Sequence, residues 1–119
     1  MCNNTEIKEE HFNEWIILRT SFQEEKRQKN YVNVISIAEK IIQLDTIAKH
    51  IGIMVPIFYK EIGMAYYNLG NMKQSLLFYQ QSIKGFENYR LTHKLNKPDD
   101  WLKEISIITK KIMLIQKKI

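Results

Sequence analysis

The sequence predicts an all-α domain of about five helices, the first four paired as antiparallel hairpins and the fifth a long C-terminal capping helix. Three observations carry this expectation. Apolar residues recur at intervals of three and four through most of the chain, which is the period of one helix face. Only 4 Gly and 2 Pro interrupt 119 residues, as suits long helices with short connections. Between two such periodic stretches stands a single short break, Leu69-Gly70-Asn71, and helices joined by so short a turn must pack back to back.

Residues 1–8 read as a polar leader with a frayed end, and 9–119 as one domain. The first helix runs to about Gln28, with Phe12, Trp15, Ile16, Arg19 and Phe22 on its stripe and the tail QEEKRQK solvated. Asn30-Tyr31 opens the second helix, whose stripe is Val34, Ile37, Ala38, Ile41 and Ile42, extended by Leu44. Gly52 predicts a helix stop near Ile51, closing a first hairpin over 9–51, and Pro56 suits the first turn of the next helix.

A second hairpin spans 56–93. Its first helix carries Tyr59, Ile62, Gly63 and Tyr66 and ends at Leu69-Gly70, because glycine tolerates the left-handed conformation of a helix C-terminus. Its second helix continues Leu76, Tyr79, Ile83, Phe86 and Arg90 to about Thr92. Successive residues turn about 100° around a helix, so in Tyr66-Tyr67 and Phe78-Tyr79 one ring enters the core and Tyr67 and Phe78 are the less buried. Phe78 is expected against the capping helix. Pro98-Asp99-Asp100-Trp101 predicts the start of that helix, with proline in its first turn and two acids at the positive dipole end. Trp101, Ile105, Ile108, Ile112 and Ile115 then run down 98–117.

Composition narrows the function classes. The chain is 45% hydrophobic, enough for a core without disulfide or metal staples. Its single cysteine, Cys2, forms no internal disulfide, so a reducing compartment is expected. No apolar run reaches membrane-span length and the N-terminus lacks a signal-peptide pattern, giving a cytoplasmic expectation. Residues 1–83 balance nine Lys/Arg with nine Asp/Glu, whereas 84–119 hold nine against four. The basic third reads first as a lysine-bearing solvated face, without the arginine clusters or interleaved aromatics of a nucleic-acid surface.

Candidate chemistry is sparse. His11, His50 and His93 stand at no metal-ligand spacing, and the acids Glu9, Glu10, Glu14, Glu24 and Glu25 read as solvated faces. Neither a phosphate-cradling glycine loop nor a nucleophile elbow occurs, and Cys2 has no basic neighbour to activate it. No enzyme activity, metal or cofactor is expected.

The stretch Tyr59–Ser82, with Ile62-Gly63, Tyr66, Ser75 and Tyr79 between its ends, resembles the tetratricopeptide repeat (TPR), whose small residues sit where two helices touch. Trp15, Leu18 and Phe22 mark a degenerate first repeat with Arg19 where Gly63 would be, and Val34, Ala38 and Ile41 align with Ser75, Tyr79 and Ser82 at an offset of forty-one residues. The resemblance implies a right-handed stack and non-catalytic binding of a protein or peptide, as adaptor, chaperone or specific inhibitor. First helices of such repeats line a concave surface, which here would present Ile57, Lys60, Met64, Tyr67 and Asn68, either open or filled by the last helix. Met64 stands where a carboxylate-clamping repeat needs Asn, which argues against capture of a chain terminus. A toxin-neutralising immunity protein is the alternative of inhibitor kind, and nucleic-acid binding through the basic third the alternative of a different class. Two repeats are fewer than the three that usually make a stable stack, so a homodimer is also an expected arrangement.

Overall fold

The described residues form five helices: α1 (Asn3–Arg27), α2 (Tyr31–Ile47), α3 (Met54–Asn68), α4 (Met72–Thr92) and α5 (Leu102–Lys118). The computed structural model describes residues 3–47 and 52–119, with side chains for 11–46 and 52–119, and no strand occurs among the described residues. The all-α class holds. The helix stop expected near Ile51 lies outside the described residues. The expected leader is corrected over most of its length, because α1 already begins at Asn3. Polarity alone does not oppose a helix rich in Glu and Lys, which have good intrinsic propensity.

The two hairpin turns are built alike. At the end of α1, Lys29 takes φ 61°, its N–H donates to the Lys26 carbonyl, and the Asn30 N–H donates to Glu25. At the end of α3, Gly70 takes φ 83°, its N–H donates to Tyr67, and the Asn71 N–H donates to Tyr66. Both are left-handed caps that satisfy the last carbonyls of a helix. Asn71 then caps α4, its side chain accepting from the Gln74 N–H at 3.3 Å.

The seam between α3 and α4 explains the small residues. Ser75 Oγ donates to the Gly63 carbonyl and Ser82 Oγ to the Pro56 carbonyl, each at 2.7 Å and fully buried. A Cβ at Gly63 would stand 3.0 Å from Tyr79 Cδ1, and one at Gly85 only 2.8 Å from Pro56 Cβ. The helices approach so closely that a serine hydroxyl reaches the facing backbone and larger groups find no room.

Apolar burial falls into two clusters. Phe22, Val34, Ala38, Ile41, Phe58 and Ile62 join α1, α2 and α3, with Phe22 and Phe58 edge to face at 5.0 Å. Tyr79, Phe86, Ile108 and Ile115 join α4 to α5. Phe78 does not meet the capping helix as expected. It belongs to the first cluster, with ring centroids 5.6 Å from Tyr66 and 6.0 Å from Tyr59. Tyr79 is the buried ring of its pair, whereas Tyr66 and Tyr67 are both half-buried.

The start of α5 is also corrected. Pro98 to Trp101 form a turn and the helix begins at Leu102, because Trp101 adopts φ 71°. Its ring stacks on Phe86 with centroids 5.6 Å apart, while Arg90 Nη1 donates to the carbonyls of Pro98 (3.1 Å) and Asp100 (2.6 Å). These contacts hold a conformation that costs a non-glycine residue about 1–2 kcal/mol. Each helix packs most closely on its neighbour in sequence, giving a slab of 54 × 35 × 19 Å. Its shortest extent is about two helix diameters.

Candidate functional site

The face singled out by sequence is that of α3 between its core stripe and solvent, and the neighbouring helices decide how much of it remains open. α5 lies along most of it. Ile57, Met64 and Tyr67 pack against the cluster around Tyr79 and Ile108. Lys60 Nζ stands 3.5 Å from Glu104 Oε2, and Lys118 Nζ donates to Tyr67 Oη at 2.6 Å while lying 4.8 Å from the ring centroid. Of the five residues, only Asn68 is fully exposed, its Nδ2 donating to the Met64 carbonyl at 2.8 Å.

On the other side of α3 the surface is open. Between the α1–α2 turn and the C-terminal end of α3 lies a cleft of about 150 Å³, lined among others by Lys26, Lys29, Tyr31, Glu61, Met64 and Asn68. Met64 and Asn68 therefore belong to this cleft, and Met64 also reaches the α5 side.

The cleft wall is fixed by an ion pair. Lys26 Nζ lies 2.9 and 3.0 Å from the two carboxylate oxygens of Glu61, a residue only 8% exposed. Burying a carboxylate is costly unless it is paired, so this contact locks the end of α1 to α3. The charge is felt beneath: burial first, then Glu61, then Tyr67, push the Tyr79 hydroxyl up to about 12. Lys26–Glu61 and Lys60–Glu104 thus clasp α3 to α1 on one side and to α5 on the other.

Neither Lys26 nor Glu61 stood out in the sequence. Lys26 sits in a run of charges that reads as a solvated helix end. The signal for Glu61 was present, an acid beside Ile62 inside the apolar spacing Phe58–Ile62–Ala65. At the first hairpin, Arg19 lies 4.9 Å over the Trp15 ring, a cation–π contact within α1.

No family model matches the chain, and neither a curated protein nor a solved structure matches it.

His93 stacks on Tyr89 at 4.1 Å, and His11 is half-buried on α1. His50 and Cys2 lie outside the described residues. Among the described residues, no three His, Cys, Asp or Glu gather as metal ligands would.

Proposed function

We propose that this chain is a TPR-like, non-catalytic binding module that holds an extended peptide or the loop of a protein partner in the cleft beside α3. The observation that carries the reading is the cleft itself. It combines the exposed Lys29 and Asn68, the half-buried Tyr31 and the apolar Met64, over a wall held by the Lys26–Glu61 pair. A few placed polar groups around an apolar floor suit recognition of a chain segment. Lys29, the exposed lysine of the cleft, favours an acidic side chain on that segment.

Two features support the repeat reading. The left-handed caps Lys29 and Gly70 stand forty-one residues apart, the offset that aligns Val34 and Ala38 with Ser75 and Tyr79. The serines and glycine of the α3–α4 seam serve close helix contact, as the small residues of such repeats do. In this reading the stack is right-handed and α5 covers its C-terminal end, with the polar clasps to Lys60 and Tyr67 keeping it in place.

The test is a photo-cross-linking residue at position 68, compared with one at position 81 on the exposed side of α4. A protein captured in cells at 68 and not at 81, and lost in a folded Lys29→Glu variant, supports the reading. Equal capture at both positions, or none at 68, overturns it.

A further inference from the structure

The two terminal helices of the array are unlike the three between them: each has one close backbone neighbour, α2 for α1 and α4 for α5. Both leave apolar side chains in solvent. On α1 these are Phe12 (57% exposed), Ile16 and Ile17. On α5 they are Leu102 and Met113 to one side and Ile107 and Leu114 to the other. Between those two apolar edges runs a row of exposed lysines, Lys103, Lys110 and Lys117, at seven-residue intervals. That spacing stacks them about 10.5 Å apart along one line of the helix. No ion pair engages them among the described residues.

The charges of the two end helices are opposite. The first half of α1 carries Glu6, Glu9, Glu10 and Glu14 against the single base Lys8. α5 carries five lysines against Glu104. Glu14 is exposed beside the open apolar residues of α1. We infer that the outward face of α5 docks the N-terminal half of α1 of a second copy of this chain, head to tail. The lysine row meets Glu14 of α1, and the apolar edges of α5 receive Phe12, Ile16 and Ile17. Complementary potentials of this kind set register and suppress wrong pairings. Because the two surfaces differ, the contact is heterologous and repeats from copy to copy, closing into a ring or extending as a short filament.

The surface differs from the cleft beside α3, so either site can fail without the other. Sedimentation and light scattering of the full chain from micromolar to millimolar concentration test it. The parent is expected to rise to twice the monomer mass or beyond at low salt, and to lose this several-fold as salt approaches about 0.5 M. Lys103→Glu/Lys110→Glu/Lys117→Glu and Glu10→Lys/Glu14→Lys should each remain monomeric with parental helix content. Mixed in equal amounts, the two variants present complementary ends and should associate again. A parent that stays monomeric throughout overturns the inference, as do variants that still self-associate or a mixture that does not. Binding of anionic vesicles or nucleic acid by a monomeric parent would assign the lysine row to another partner, and overturns it equally.

Discussion

Ser75 Oγ donates to the carbonyl of Gly63 across the α3–α4 seam at 2.7 Å, and seven residues along each helix Ser82 repeats the contact with Pro56. The seam is therefore a run of side-chain-to-backbone contacts, and a Cβ at Gly63 or Gly85 would meet Tyr79 or Pro56.

Gly63→Leu should destabilise the fold by about 3 kcal/mol, as overpacking does at a site without room. Gly63→Ala should fall within about 1 kcal/mol of the parent, because its gain in helix propensity offsets the push on the Tyr79 ring. Chemical denaturation measures both. A Leu variant as stable as the parent would remove the close approach of α3 and α4.

Ser82→Ala deletes one buried donor and should cost about 1 kcal/mol. Gly85→Val should cost more, because a Cβ there would stand 2.8 Å from Pro56 Cβ and cannot be accommodated without moving α4. The order of the two melting temperatures, with valine the lower, is the quantity to check.

Lys26→Met leaves Glu61 buried without its cation. The lysine is itself partly exposed, so the cost is about 1–2 kcal/mol, below that of a fully buried pair. Lys26→Met/Glu61→Gln should regain most of this loss. A double variant no more stable than Lys26→Met would show that the ion pair is not what fixes α1 on α3.

Tyr79 gives an alkaline dependence. Its hydroxyl is raised from 10.0 to about 12 in the folded chain, so the unfolded state gives up this proton first as pH rises. The associated stability is complete below pH 10.0, declines above it and is lost by about pH 12. The expected loss is about 2–3 kcal/mol relative to Tyr79→Phe, which lacks the group. Parallel denaturation curves for parent and variant over that window would contradict the assignment.

The sequence shows five helices because apolar spacing reports which face of a segment is buried. It shows the seam because glycine and serine are conspicuous inside apolar stripes. What it conceals depends on the partner helix. Phe78 turns to Tyr59 and Tyr66 because it lies about 100° around α4 from Tyr79, the side that α5 covers, and nothing in the letters marks which side that is or that Trp101 is left-handed. The spacing of Ile57, Lys60, Met64, Tyr67 and Asn68 puts them along one side of α3, yet only packing could tell that α5 runs along Ile57, Lys60 and Tyr67 and leaves Met64 and Asn68 beside a cleft. Lys26 was invisible for the same reason: its carboxylate partner is thirty-five residues away.

Packing chiefly between consecutive helices also governs how the chain gains and loses its structure. Contacts between segments close in sequence need little loop closure before they form, so folding should be fast for this length. Opening should be graded along the chain, with amide hydrogens of α3 and α4 exchanging last and those of the terminal helices first. α1 and α5 can then peel away from a hairpin that stays folded, and the chain would unzip from its ends before its middle gives way.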